Sequence, residues 1–331
     1  MAISDPVSKI VSKIKDCRRI AVTSHLRPDG DSICTGLALY YMAKQLGKEV
    51  SLINKDRTPF PFFNLPDINL ISIGQIPPDG FDAVILLECA NVSRSGHDHL
   101  DNYFKINIDH HYSNDYYADL DWVEPEAAAV ACLAFKLGKE LNIDFTPIIS
   151  SHLYCAIISD TGSFQFSNTK AQALETCAHL IRSGAEPMKV SDLIFNNNPP
   201  EKIKLLGQVL STLQMNAAGS IGIVTMFQDF LDSFEHKEID TEDITTLVRS
   251  IRGLEMVLFF KQMDDQTFRV SLRSKGDANS ALVAEHFDGG GHRHAAGFTV
   301  HGSYDDLIVS VPQQVERILH ADRNKGASNH K

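Results

Sequence analysis

The sequence lacks long apolar runs and has little cysteine. None of its apolar runs reaches the ~18–20 residues that a membrane-spanning helix needs, and its first residues lack the apolar core of a signal peptide. The six cysteines form no CxxC pair and all fall within the first 177 residues. This spacing supports neither a disulfide framework nor a structural zinc site, and it predicts reduced thiols in a cytoplasmic protein.

The sequence also has fewer basic than acidic residues. The 331 residues include 31 Lys and Arg against 42 Asp and Glu, which gives a net charge of −11. Because proteins that wrap long duplex DNA neutralise many phosphates, this balance argues against such a role and leaves small or short phosphorylated substrates. The 43% hydrophobic content is enough for a substantial core, and the length favours two domains.

Strand-like and helix-like segments alternate with short loops, which predicts an α/β fold with a parallel sheet in the first domain. A polar, proline-broken stretch near residues 190–200 indicates a linker. We therefore expect two lobes with a site in the cleft between them. The predicted boundaries are a parallel-sheet domain over 1–190, a linker and bridging helix over 191–214, a smaller α/β domain over 215–322 and a disordered tail over 323–331.

The segment His25 to Asp31 contains a histidine and two aspartates directly after the strand-like run RIAVT. Open α/β sheets bind their ligands at the carboxyl ends of strands. Two carboxylates this close repel each other, and a cation between them relieves the repulsion. Asp31 is also predicted to be the N-cap of the helix that follows. The alternative interpretation is an ordinary turn with a capping aspartate and a solvated His25.

Further acids and histidines fall at the ends of later elements. Mixed imidazole and carboxylate donors favour manganese, with zinc, iron or cobalt as alternatives. Six such residues are too many for one metal ion and suit two, which would together activate water for attack on a phosphoryl group. The candidate ligands are His25, Asp29, Asp31, Glu88, which is free to bridge, His110 and Asp160.

The triplet Asp109-His110-His111 offers two more roles. Asp109 could orient a ligand imidazole. His111 could contact a phosphate or act as the general acid for the leaving oxygen. The alternative is a polar loop with a chance pair of histidines.

A second cluster, Gly289-Gly290-Gly291-His292, suggests a loop whose backbone N–H groups hold a phosphate. Arg273, at the end of a predicted strand, is suited to a terminal phosphate. A flexible glycine connector and a solvated arginine are the alternatives.

Five motifs in order resemble those of the DHH phosphoesterase superfamily, over nearly the whole chain. They are HLRPDGD (25–31), LLECANVSR (86–94), DHH (109–111), SDTGSFQF (159–166) and GGGHRHAAG (289–297). The last is similar to the glycine motif of the DHH-associated C-terminal domain. In its length and in the absence of a sensor domain, the chain most resembles the branch of bifunctional nanoRNases (oligoribonucleases) and pAp phosphatases.

The resemblance implies that His25 and Asp29 hold one metal ion. Asp31, His110 and Asp160 would hold the other, and Glu88 would bridge the two. His111 would contact the scissile phosphate and Asp109 would support the histidines. Manganese is the metal that the resemblance implies. The implied contacts to the non-reacting phosphate and sugar are Arg273, Ser274, Gly289, Gly290, Gly291 and His292, with Arg94 as a helper.

Glu88 departs from the family pattern, in which the bridging residue is commonly aspartate. The additional methylene moves the carboxylate by about one carbon–carbon bond, and a misplacement of ~1 Å can reduce a rate about a hundredfold. We expect the neighbouring backbone to compensate, because every other ligand is in place.

The function that the resemblance implies is hydrolysis of 3′-phosphoadenosine 5′-phosphate (pAp) to AMP and of very short oligonucleotides. The expected partners are small phosphorylated nucleotides and short single-stranded RNA or DNA, without long duplex DNA or a membrane. A homodimer is one arrangement that the sequence allows. The alternatives are a pyrophosphatase or exopolyphosphatase, a phosphodiesterase for linear or cyclic dinucleotides, and a non-catalytic nucleotide-binding module.

Overall fold

The computed structural model describes residues 5–232 and 242–328. The chain divides into two compact units, Met1–Asn197 and Asn198–Lys331. Over the described ranges, no helix combines the length and the apolar character that crossing a membrane requires.

The first unit is an α/β domain with a six-stranded sheet in the order β3-β2-β1-β4-β5-β6. Every neighbouring pair in it is parallel, which confirms the predicted fold class. The strands are β1 (Arg19–Ser24), β2 (Glu49–Asn54), β3 (Ile71–Ile73), β4 (Ala83–Leu87), β5 (Lys105–Asp109) and β6 (Leu120–Val123). The helices are α1 (Pro6–Asp16), α2 (Gly30–Gln45), α3 (Val130–Glu140), α4 (Pro147–Asp160), α5 (Ala171–Arg182) and α6 (Pro187–Phe195).

The central strands of this sheet are short apolar runs that are covered on both faces. All five residues of β4 are buried, as are the last five of β1. Parallel strands that are buried on both faces require such continuous apolar sequences. Helix α2 packs against α3 and α4 and contributes Leu37 and Met42 to the core.

The order of the strands determines where ligands can bind. The chain runs from β1 through α2 to β2 on one side of β1, and β4 then pairs with β1 on its other side. The direction of strand addition therefore reverses between β1 and β4, and open α/β sheets bind ligands at such a point. The loops after β1, β4 and β5 all begin at this edge of the sheet.

The second unit contains a mixed sheet in the order β11-β12-β10-β9-β8-β7. Only β8 and β9 pair in parallel among its described strands. Its core includes the fully buried Phe260 and Phe268 together with residues of two helices. The elements are α7 (Pro200–Ser211), β7 (Gln214–Met215), β8 (Ile221–Met226), α8 (Gln228–Asp232), α9 (Glu242–Arg249), β9 (Met256–Asp264), β10 (Thr267–Ser274), α10 (Ser280–His286), β11 (Gly290–His292), β12 (Ala295–His301) and α11 (Tyr304–Ser328).

The predicted linker over 191–214 is mostly helical. It contains the end of α6 and all of α7, whose Leu205 and Val209 pack in one cluster with Val224 of β8. These apolar contacts make α7 part of the second unit. The predicted tail over 323–331 is helical to Ser328, where α11 ends, and its last three residues lie outside the described ranges.

The glycine run forms an edge strand, and not the loop that the sequence predicts. Gly290 to His292 pair with β12, so that Gly291 lies opposite Ala296. A Cβ atom on Gly289 would lie 2.3 Å from the carbonyl oxygen of Gly297 and 2.6 Å from Phe298 Cβ. The backbone of the neighbouring strand therefore requires a glycine at this position, whereas a Cβ on Gly290 would point into open space.

We predict that Gly289→Ala lowers the free energy of unfolding of the second unit by about 2 kcal/mol, because overpacking against backbone atoms cannot be relieved by a rotamer change. Gly290→Ala is the matched control and should change it by less than about 0.5 kcal/mol. Differential scanning calorimetry of both variants measures the effect. Equal losses in the two variants would contradict the close approach of β12 to Gly289.

Candidate metal centre

Four segments of the first unit bring six polar side chains together, and we call these six residues the candidate centre. His25 follows β1, Glu88 follows β4 and His110 follows β5, all at the carboxyl edge of the sheet. Asp160 is the last residue of α4. The other members, at the start of α2, are Asp29 and Asp31.

The first half of the candidate centre contains His25, Asp29 and Glu88, whose ligand atoms all lie within 4.8 Å of one another. His25 Nε2 lies 3.6 Å from Asp29 Oδ2 and 3.9 Å from Glu88 Oε2. His25 Nδ1 lies 2.8 Å from the carbonyl oxygen of Leu26. Because a carbonyl can only accept, Nδ1 donates to it, and Nε2 is the ring nitrogen that faces the carboxylates.

The second half contains Asp31, Glu88 and His110, again with ligand atoms within 4.8 Å of one another. His110 Nε2 lies 3.4 Å from Glu88 Oε1 and 3.8 Å from Asp160 Oδ2. His110 Nδ1 donates to the carbonyl oxygen of Ala127 at 3.0 Å, which directs Nε2 at the acids as in the first half. The two halves share Glu88, and each of its oxygens faces a different histidine.

The backbone at Glu88 is unusual for a residue with a side chain. Its φ is +56°, in the left-handed region, and its amide donates to Ile108 at 3.1 Å. The residue is 1% exposed, and Oε2 has no hydrogen-bond partner within the described residues. A conformation of this kind is disfavoured for residues other than glycine and is often found at functional sites. This conformation places the longer glutamate side chain between the two histidines.

Crowding of acids in the candidate centre disfavours their ionised forms. Burial raises the pKa of Glu88 well above its ordinary value, and the charges of Asp29 and Asp31 add to the effect. Burial and the charge of Asp31 raise the pKa of Asp160 to about 7. Divalent cations would offset this repulsion and would give the orphaned Glu88 Oε2 a partner. The residues therefore fit a pair of metal ions.

Asp29, and not Asp31, is the N-cap of α2, so the predicted cap is wrong. Asp29 has the extended backbone that a cap requires, and its Oδ1 accepts from the Ser32 amide at 3.1 Å. Asp31 is already helical. Its carboxylate accepts from the amides of Val130 at 2.5 Å and Ala131 at 3.1 Å. These amides begin α3, whose N-cap residue offers no side-chain hydrogen bond.

Asp109 is fully buried and organises the histidine pair. Its Oδ1 accepts from the amides of His110 at 2.7 Å and His111 at 3.1 Å, and from His111 Nδ1 at 2.6 Å. Asp109 thus orients the ring of His111, whereas Ala127 orients the ring of His110. Burial opposes ionisation of Asp109, but the hydrogen bond and charge of His111 prevail and lower the pKa of Asp109.

Two asparagines that the sequence did not single out support these acids. Asn114 Nδ2 donates to Asp109 Oδ2 at 2.6 Å. Asn168 Nδ2 lies 3.0 Å from the carbonyl oxygen of Asp160 and 3.3 Å from its Oδ2. Their short distance in sequence from DHH and from the Asp-Thr-Gly turn was the only signal that could have identified them.

The predicted substrate contacts are divided between the units. In the first unit, Arg94 is half-buried after β4, and its carbonyl oxygen accepts from the Leu26 amide at 2.6 Å, next to His25. In the second unit, Arg273 and Ser274 end β10. The Ser274 hydroxyl lies 2.7 Å from the Ala278 carbonyl oxygen and 3.1 Å from His294 Nδ1, so it ties two loops together.

Comparison with known proteins assigns both units. Residues 19–157 match the family described as "DHH family, N-terminal domain", and residues 223–322 match the "DHHA1 domain". The bifunctional oligoribonuclease and PAP phosphatase of Thermus thermophilus is 30% identical over 92% of this chain and 90% of its own length. The Bacillus subtilis protein of the same name is 28% identical over 87% and 90%.

A solved structure shares the fold. The exopolyphosphatase-related protein from Bacteroides fragilis has a TM-score of 0.86 and 20% identity, over 94% of this chain and 96% of that one. The motifs, the two halves that share Glu88 and the two matching domains agree with one another. The chain therefore belongs to the DHH family of phosphoesterases, which are hydrolases of phosphoester bonds, and carries a DHHA1 domain in its second unit.

Proposed function

We propose that this protein hydrolyses pAp to AMP and degrades very short oligonucleotides with the help of two divalent metal ions. The observation that carries the proposal is the pair of ligand clusters that share Glu88. The relatives from Thermus thermophilus and Bacillus subtilis, which are similar over most of the chain, are named for both activities.

His25 and Asp29 would hold one metal ion, Asp31, His110 and Asp160 the other, and Glu88 would contact both. Manganese is the proposed metal, because two imidazoles among carboxylates suit it better than calcium or magnesium. When bound, such a pair stabilises charge on the phosphoryl group and activates water for attack. The protein contributes the orientation, because the carbonyls of Leu26 and Ala127 aim both imidazoles at the acids.

His111 is the proposed general acid for the leaving oxygen, or else a contact to the scissile phosphate. Its Nδ1 is held by the buried Asp109 carboxylate at 2.6 Å. This contact keeps one proton on Nδ1. A general acid at this position would therefore donate its proton from Nε2. Asp109 therefore acts by positioning, since its own oxygens are all used within the loop.

The proposed substrates are small phosphorylated nucleotides and short single strands. A net charge of −11 suits a substrate that needs only a few local cations. Arg94 beside His25 in the first unit, and Arg273, Ser274 and Gly289 to His292 in the second, are proposed to hold its non-reacting parts. A pyrophosphatase and a dinucleotide phosphodiesterase of the same fold are the competing functions, and direct comparison of substrates separates them.

The proposed compartment is the cytoplasm. All six cysteines are buried and free, and Cys34 Sγ lies 3.2 Å from Cys155 Sγ without a bond. Thiols at this distance remain reduced most readily in a reducing compartment.

We also propose that the protein forms a homodimer. Light scattering of the purified protein would test this.

We predict that the wild-type protein with manganese releases phosphate from pAp and cleaves RNA of two to five nucleotides, faster than it hydrolyses pyrophosphate. Asp31→Ala should reduce turnover by more than about a hundredfold, because it removes a ligand and uncaps α3. Asp79→Ala, at an exposed acid of the same unit, is the control. Faster turnover of pyrophosphate than of pAp would favour the competing function, and undiminished turnover in Asp31→Ala would refute the assigned site.

Glu88→Asp tests whether the left-handed backbone compensates for the longer side chain. We expect it to lower kcat by about tenfold to a hundredfold, since a shorter carboxylate would no longer reach both histidines. Manganese-dependent turnover of pAp and of the short RNA measures the effect. A variant more active than the wild-type protein would show that Glu88 detunes the site, and an inactive wild-type protein would favour a nucleotide-binding module.

The raised pKa values predict how stability depends on pH in EDTA. An acid with a raised pKa in the folded state favours folding below its unfolded pKa, and this contribution is lost as the pH rises through the folded value. For Asp160 the window runs from its ordinary value of 3.8 to about 7. The pKa of Glu88 is likewise raised from its ordinary 4.5, so urea denaturation should show that Glu88→Gln gains stability relative to wild type as the pH rises above that ordinary value.

With saturating manganese, the wild-type protein should instead be more stable than Glu88→Gln. Metal ions bind deprotonated ligands, and the substitution removes one of them. Asp79→Asn is the matched control and should follow the wild-type protein at every pH. A difference between Glu88→Gln and wild type that does not change with pH would contradict the crowding of acids around Glu88.

A further inference from the structure

A chain of three exposed side chains extends from the histidine pair of the first unit. The ring of Tyr112 is 80% exposed, and its hydroxyl donates to Glu126 Oε1. The other carboxylate oxygen, Glu126 Oε2, pairs with Lys170 Nζ. We call these three residues the tyrosine platform.

Each member of the tyrosine platform lies within two residues of His111, Ala127 or Asn168, which adjoin or contact the candidate centre. Tyr112 directly follows His111. Glu126 directly precedes Ala127, whose carbonyl oxygen accepts from His110 Nδ1. Lys170 comes two residues after Asn168, which contacts Asp160. The platform is therefore attached to the same three backbone segments that orient His110, His111 and Asp160.

Stability does not account for this arrangement. Glu126 and Lys170 are 72% and 49% exposed, and exposed ion pairs add little to the stability of a folded protein. A ring that is 80% exposed also buries little apolar surface. What the contacts do is restrict an exposed aromatic ring, so that less side-chain freedom is lost when a ligand covers it.

The charges of the platform are compatible with an anionic ligand. Lys170 balances the carboxylate of Glu126, so the contact that anchors the hydroxyl of Tyr112 does not leave the charge of Glu126 unpaired. An exposed, anchored aromatic face is a surface on which a nucleobase stacks, and stacking of this kind tolerates any base.

We propose that Tyr112 is a specificity-determining residue on which the nucleobase of the substrate stacks while a phosphate lies at the candidate centre. This inference rests on the proposed function and adds to it the part of the substrate that is recognised. Tyr112 directly follows His111, and neighbouring Cα atoms are about 3.8 Å apart, so the backbone holds the two residues side by side. Tyr112 thus favours nucleotides over inorganic phosphates.

The experiment compares AMP, which has a base, with ribose 5-phosphate, which has none. Binding of each to the full chain with manganese is measured by titration calorimetry for wild type, Tyr112→Ala, Tyr112→Phe and Tyr116→Ala. Tyr116 is the matched control, a tyrosine of the same loop that is 63% exposed. In parallel, kcat and KM for pAp are measured.

We expect Tyr112→Ala to weaken binding of AMP about tenfold and to leave binding of ribose 5-phosphate unchanged. Tyr112→Phe, which keeps the ring and loses its anchor, should remain within about threefold of wild type. For pAp, Tyr112→Ala should raise KM with kcat nearly unchanged, the result of losing an interaction that is equally strong in ground and transition states.

The other outcomes separate this inference from the proposed function. Suppose that the wild-type protein turns over pAp. Equal losses of affinity for AMP and ribose 5-phosphate in Tyr112→Ala would then overturn the stacking role alone. Equal effects of Tyr112→Ala and Tyr116→Ala would do the same. A wild-type protein that neither turns over pAp nor binds AMP would overturn both proposals.

Discussion

The buried carboxylate of Glu88 is the constraint on which the polar edge of the first sheet depends. It is 1% exposed, and burial raises its pKa well above the ordinary value. A buried acid of this kind needs a compensating group. Besides the neighbouring acids, two imidazoles lie next to it, each turned by a backbone carbonyl so that Nε2 faces one of its oxygens. The carbonyl oxygens of Leu26 and Ala127 therefore determine which imidazole nitrogens face Glu88.

The sheet order makes this arrangement possible. Glu88 follows β4, which lies between β1 and β5 in the sheet. His25 follows β1 and His110 follows β5. A carboxylate between the two histidines is thus a consequence of strand order. We assign the compensation expected for the longer side chain of Glu88 to the left-handed backbone at this residue.

The remaining acids divide into two kinds. Asp29 and Asp160 are partly exposed and keep oxygens directed at the histidines. Asp31 and Asp109 are buried, and each accepts from two backbone amides, Asp31 at the start of α3 and Asp109 within its own loop, whereas Asp29 accepts from the single amide of Ser32. Rigidity at the candidate centre thus comes from the second kind, since a carboxylate that accepts several N–H groups has few alternative positions. In the second unit, Ser274 and Gly289 also make local packing contacts.

The sequence by itself determined the α/β class, the six candidate ligands and the family, because turn residues, apolar periodicity and ordered motifs are local properties of the chain. It predicted a parallel sheet from alternation alone, and the structure confirms it. The predicted cap at Asp31 was wrong because the amides that this acid accepts from belong to α3, about a hundred residues away. The glycine run was expected to be a loop, and only pairing with β12 makes it a strand. The role of α7 depends likewise on its contacts with β8, and the tyrosine platform joins residues from three loops. Tertiary structure decided these features because each depends on a contact between distant segments, which no local pattern encodes.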